Sequence, residues 1–145
     1  MTATNHILTG ALIGGLIQKP LVALPLALVS HYVLDVLPHY GDEKGSRLVF
    51  RRVVLVDSIL SFLALVWLLL SGLSSAILMV ACAIVAASPD LFWLPYFIAE
   101  LKGHVKPYGR YSRIAHNIQW GERPWGMVIE IAWAVAMLVL IVRIL

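Results

Sequence analysis

The chain has 145 residues, 61% of them hydrophobic and 13% charged, with a formal net charge of +3. Soluble domains average roughly 45–50% apolar and about 25% charged residues, so this composition excludes an ordinary water-soluble domain and reads as an integral membrane protein. The length suits a single helical domain over residues 1–145 with four or five spans at about 20 residues each. The lone cysteine, Cys82, permits no intrachain disulfide.

The first apolar segment, residues 4–17, is short for a full span and carries Gly10, Gly14 and Gly15. Small residues spaced by four let helices approach closely in lipid. The segment lacks a basic n-region and a small-residue cleavage site, so it is expected to be retained. Gln18-Lys19-Pro20 reads as a turn. The second segment runs from Leu21 to about Leu37 and is followed by a polar loop, GDEKGSRLVFRR, at 41–52. The third is residues 53–70, and SGLSS at 71–75 is a tight connection. The fourth starts at Ala76 and reaches Ser88-Pro89-Asp90, where proline disfavours continuation. LFWLPYFIAEL, 91–101, is a continuation of it or a separate interfacial helix. A basic stretch covers 102–123, and residues 125–145 form the clearest full-length span.

Nine of the eleven Lys and Arg residues fall in two loops: Lys44, Arg47, Arg51 and Arg52 in the first, and Lys102, Lys106, Arg110, Arg113 and Arg123 in the second. Two spans separate the loops, so both lie on one side, cytoplasmic by the positive-inside rule. The expected fold is therefore an all-α polytopic bundle of about five helical segments with its N-terminus in the cytoplasm. Topology and anionic lipid account for the basic residues, and a nucleic-acid partner is not expected. The partner expected is membrane lipid.

Ionisable residues inside apolar segments are costly and mark function by default. His31, Asp35 and His39 follow one another at intervals of four. On a continuous helix they share one face over roughly 12 Å. Two neighbours on such a stripe can chelate one ion. Imidazole and carboxylate together suit a divalent cation such as Zn²⁺, Mn²⁺ or Fe²⁺. Pro38 can bend the chain just before His39. On the topology above, His6, Asp57, Asp90 and His116 reach the same membrane face as this stripe. Asp57 is either part of that site or a structural acceptor, and Asp90 is either part of it or a helix cap. Glu130 pairs with a loop arginine or joins the site, and His104 reads as a solvated loop residue.

The N-terminal Asn5-His6, the His31-x-x-x-Asp35-x-x-x-His39 segment with its Pro38-His39 ending, Ser88-Pro89-Asp90 and the late His116 resemble the small inner-membrane metal-dependent hydrolases. That group is distantly similar to the zinc-dependent phospholipase C fold. The resemblance implies a multi-pass protein of a bacterial-type inner (plasma) membrane, with one or more divalent ions. His6, His31, Asp35, His39, Asp90 and His116 are the metal-ligand candidates it supplies. The activity it implies is hydrolysis of a phosphoester in a lipid or lipid-linked substrate. Asp57 or Asp90 would serve as base, and Arg110 and Arg113 would hold the phosphate. The chain lacks the P-D-I-D-H and H-R-G-x-T-H-S strings of better-known members. Two rival functions remain at this point: a cation or proton transport protein, and a non-catalytic structural membrane protein.

Overall fold

The computed structural model describes residues 1–41, 47–104, 109, 110, 113 and 121–144, leaving out the side chains of Arg47 and Glu100. The elements in chain order are α1 (Ala3–Ile17), α2 (Pro20–Val36), β1 (His39–Tyr40), α3 (Arg47–Leu70), α4 (Ala76–Ala87), a 3₁₀ turn (Ser88–Phe92), α5 (Leu94–Leu101), β2 (Glu122–Arg123) and α6 (Gly126–Ile144). Six α-helices thus dominate the described residues.

Local sequence sets most of these boundaries. α1 ends at Gln18, which takes the left-handed conformation (φ 50°) and returns its N–H to the Gly14 carbonyl. Pro20 then opens α2, where its missing N–H and fixed φ suit the first helical position. α2 stops at Val36. Leu37, which precedes Pro38, is extended (ψ 153°), as steric conflict with the following proline ring demands. The continuous stripe expected through His39 is therefore broken, and His39 instead opens the short strand β1. At the far end of α4, Pro89 sits in the first turn of the 3₁₀ segment, so residues 91–101 do not extend α4. The expected loop at 41–52 is also shorter than its polar residues suggested. Arg47 to Arg52 already belong to α3, because RLVFRR contains no helix breaker and its apolar residues continue the helical run.

α1 lies at the centre and packs on α2, α3, α4 and α6. Its closest partner is α4. A Cβ added at Gly10 would lie 2.5 Å from the Cys82 carbonyl oxygen, and one at Gly14 would lie 2.9 Å from that of Leu78. Only glycine permits the two backbones this separation. Ile7, Leu8, Ala11, Leu68, Met79, Ala83, Met137 and Ile141 form the core around α1. Outside it the surface is apolar as well: Leu21 is 92% exposed, and Ile59, Phe62, Val128 and Ile131 are all exposed. Leu48–Leu70 and Gly126–Ile144 are long and apolar enough to cross a membrane, and α1, α2 and the 76–92 segment are shorter apolar helices.

β1 and β2 pair in parallel, His39 opposite Glu122 and Tyr40 opposite Arg123. This two-residue ladder ties the segment after α2 to the segment before α6. The start of α1, the end of α2, the first turns of α3, the end of α4 and the start of α6 consequently meet at one end of the bundle.

Candidate metal centre

Four residues from two helices and the 3₁₀ turn come together at that end. His6 stands one turn into α1, His31 and Asp35 on the last turns of α2, and Asp90 in the 3₁₀ turn after α4. Each offers one nitrogen or oxygen atom, and all of these atoms lie within 4.8 Å of one another. His6, His31 and Asp35 are buried, and the Asp90 side chain is 34% exposed.

Asp35 is the hub. Its Oδ1 lies 3.2 Å from His6 Nε2, and its Oδ2 lies 3.2 Å from His31 Nε2. The Met1 amine also donates to Oδ1 at 2.5 Å. The i, i+4 relation along α2 places the His31 ring beside Asp35. The packing of α1 against α2 brings in His6, whose ring stacks on that of His31 with centroids 4.0 Å apart.

The His31 hydrogen bonds fix its tautomer. Nδ1 is 2.8 Å from the Ala86 carbonyl oxygen. A carbonyl has no proton to give, so Nδ1 carries the hydrogen and donates it. Nε2 then points at Asp35 Oδ2 and, at 3.8 Å, at Asp90 Oδ1. In the neutral ring Nε2 presents a lone pair, so three electron-rich atoms converge in a buried space. Only a proton or a cation among them makes that favourable.

His6 adds a second signal. Its side chain is fully buried, and neither ring nitrogen has a hydrogen-bond partner among the described residues. The 3.2 Å separation from Asp35 is an ion-pair distance without hydrogen-bond alignment. A buried polar group left unsatisfied costs about 1–3 kcal/mol, which a ligand bond would remove. Tetrahedral ligand atoms at about 2.1 Å from an ion stand about 3.4 Å apart. The two 3.2 Å separations, one to each Asp35 oxygen, and the 3.8 Å separation lie near that spacing, within a set that spreads to at most 4.8 Å. The donor set, two imidazoles and two carboxylates, fits a divalent cation.

The other candidates lie elsewhere. His39 is buried, but its Nδ1 bonds to the Leu37 carbonyl at 2.8 Å and it is not in the four-residue group. Burial lowers its pKa from the ordinary imidazole value. Asp57 is turned to α1: Oδ2 accepts from the Ala3 N–H at 2.8 Å and Oδ1 from the Thr4 N–H at 3.0 Å. Arg110 and Arg113 are exposed, and no hydrogen bond or ion pair joins them to the cluster among the described residues. His104 is exposed, with its backbone N–H on the Ala99 carbonyl. His116 lies outside the described residues.

Two residues acquire roles that the sequence alone did not assign. Glu130 is buried and accepts from the Thr2 N–H at 3.0 Å, the Tyr40 N–H at 2.8 Å and Asn5 Nδ2 at 3.3 Å. Asn5 Nδ2 also reaches the Glu130 backbone carbonyl at 3.2 Å. Together they pin the start of α1 and strand β1 to α6, which holds His6 at its depth in the bundle. The pairing of Asn5 with His6 in the sequence was the available signal, but only a histidine suggests ligation. Comparison with family models, curated proteins and solved structures gives no match.

Proposed function

We propose that this chain is a membrane-embedded, metal-dependent hydrolase acting on a phosphoester of a lipid or lipid-linked substrate at the cytoplasmic interface. The observation that carries the reading is the convergence of His6, His31, Asp35 and Asp90, with the Ala86 carbonyl engaging His31 Nδ1 so that Nε2 faces the cluster. The apolar surface and the two span-length helices support placement in a bilayer. By the positive-inside rule, the basic residues of the 41–52 and 102–123 segments support a cytoplasmic location for this end of the bundle. The motif resemblance supports the hydrolytic activity.

His6, His31, Asp35 and Asp90 would hold the ion, Zn²⁺ being the first choice and Mn²⁺ or Fe²⁺ the alternatives. A bound divalent ion supplies a water acidic enough to ionise near neutral pH and a positive centre for phosphoryl oxygens. Asp90 is the only one of the four with substantial exposure. Its carboxylate is therefore the group placed to take a proton from water entering the open side. Asp35, enclosed by two imidazoles, orients both rings. Asp57 has each oxygen engaged by a backbone N–H group of α1.

The test is elemental analysis of detergent-purified protein, wild type beside Asp35→Ala, together with phosphate release from a phospholipid monoester. Stoichiometric metal and metal-dependent release in the wild type, both lost in the variant, are expected. Metal without release leaves a binding or transport protein. Metal in neither protein leaves the structural role, in which these side chains only fix the bundle.

A further inference from the structure

A groove of about 320 Å³ lies between α3 and α6, floored by the first residues of α1. Val49, Val53, Val56 and Leu60 form one wall, and Met127, Ile131 and Ala134 form the other. The α3 residues recur at intervals of three or four, a single stripe about 16 Å long at ~1.5 Å per residue. Two carboxylates, Asp57 and Glu130, sit at the floor. Both are engaged by the N–H groups at the start of α1, and the positive end of that helix offsets their charge. Arg52 is the cationic side chain of the lining and is exposed. It makes no ion pair among the described residues. Thr2 lines the groove and its neighbour Met1 touches Asp35, so the N-terminal end of α1 links the groove to the metal centre.

We propose that this groove seats one acyl chain of an anionic phospholipid, with the lipid phosphate at Arg52 and its ester facing the metal centre. The inference rests on the membrane-embedded hydrolase reading and deepens it by naming the substrate class and its route of entry, sideways from the bilayer. Three observations select the occupant. The walls are apolar and belong to the two helices long enough to span a bilayer. The single cation stands at one end, where an amphiphile needs it. The volume lies at the lower end of small-ligand pockets and admits one chain.

The experiment uses the full chain in nanodiscs made from equal parts phosphatidylcholine and phosphatidylglycerol. It is released into mild detergent and weighed by native mass spectrometry, with metal content measured on the same samples. Wild type should retain one phosphatidylglycerol per chain. Ala134→Phe fills the groove and should lose that lipid. Val56→Trp, on the exposed wall, makes the same test if Ala134→Phe does not fold. Arg52→Gln should keep a lipid while its preference for phosphatidylglycerol over phosphatidylcholine falls about fivefold. Unchanged lipid occupancy in a folded, filled variant overturns the proposal. So does an unchanged preference in Arg52→Gln, or a filled variant that splits a dimer and keeps its lipid. Lipid retained by a wild type without metal sinks the hydrolase reading and leaves the groove. Metal without lipid does the reverse.

Discussion

Asp57 caps a helix to which it does not belong. Its carboxylate accepts the N–H groups of Ala3 and Thr4 at the start of α1, where Thr2 makes no side-chain cap of its own. Glu130 takes the N–H of Thr2 from the other side. The free donors of the first turn are thus satisfied by α3 and α6, and negative charge at a helix N-terminus is favourable in its own right. These bonds fix the rotation of α1, and with it the position of His6 one turn later.

We predict that Asp57→Ala is destabilising and leaves the metal stoichiometry at saturating ion unchanged. Hydrogen bonds to a charged group contribute about 1.5–3 kcal/mol, and loss of a cap about 0.5–2 kcal/mol. A loss of about 2–3 kcal/mol is therefore expected, with Asp57→Asn intermediate. The checks are denaturation in detergent and elemental analysis of the same samples. A variant as stable as wild type but without metal would place Asp57 in the centre.

The helical segments were legible because turn residues punctuate the apolar runs: Gln18-Lys19-Pro20, Pro38 and Ser88-Pro89 each end or open an element. The i, i+4 pair His31–Asp35 was legible for the same local reason. His39 was not, because the spacing of four continues through a position where Pro38 forces Leu37 out of the helix. The local steric rule outweighs the periodic pattern. Asp57 looked equally like a site residue and a structural acceptor, and Glu130 equally like a site residue and the partner of a loop arginine. Their partners are backbone groups of α1, brought near only when α1 packs between α3 and α6. The bare nitrogens of His6 arise in the same way, from tertiary burial that no spacing records.

Gly10 provides a test of the α1–α4 contact. A methyl group there meets the Cys82 backbone at 2.5 Å and the Ala86 Cβ at 2.8 Å. Neither atom is the end of a flexible side chain, so the helices must separate. Overpacking of this kind costs about 1–3 kcal/mol, and Gly10→Ala should melt below wild type by a matching amount. Because Ala86 accepts the His31 hydrogen bond, the same substitution should weaken metal retention. A melting temperature equal to that of wild type would show that the close approach is not a constraint.

His39 gives a pH dependence of defined sign. Burial depresses its pKa in the folded chain, so the unfolded chain takes up the proton first as pH falls. The proton count is then higher in the unfolded state, and stability declines on acidification through about pH 6.5. His39→Gln lacks this group. With chelator present, so that ion loss does not contribute, the wild type should lose more stability than His39→Gln between about pH 7.5 and about pH 5.5. Parallel curves for the two proteins would show that His39 is free to charge in the folded state.

Asp35 decides whether the cluster is a metal centre or a polar knot. Both its oxygens face an imidazole, one from α1 and one from its own helix. Asp35→Asn keeps the shape and removes the charge. Without an ion, the variant loses an anion from among two histidines and the Met1 amine and should change stability only through those contacts. With an ion, it loses a bond to the cation and the orientation of both rings. The expected effect is a fall in affinity of at least about 10–100-fold, the range for a group that orients ligands, and more if Asp35 binds directly. Ligand binding to the folded state stabilises it in proportion to the logarithm of concentration over Kd. Added Zn²⁺ or Mn²⁺ should therefore raise the melting temperature of the chelator-treated wild type well above that of Asp35→Asn at the same concentration. His31→Gln should resemble Asp35→Asn, since it removes the Nε2 that faces Asp35 and Asp90. A response to metal that is the same in all three proteins would take Asp35 and His31 out of the site. No response in any of them would make the convergence a structural knot.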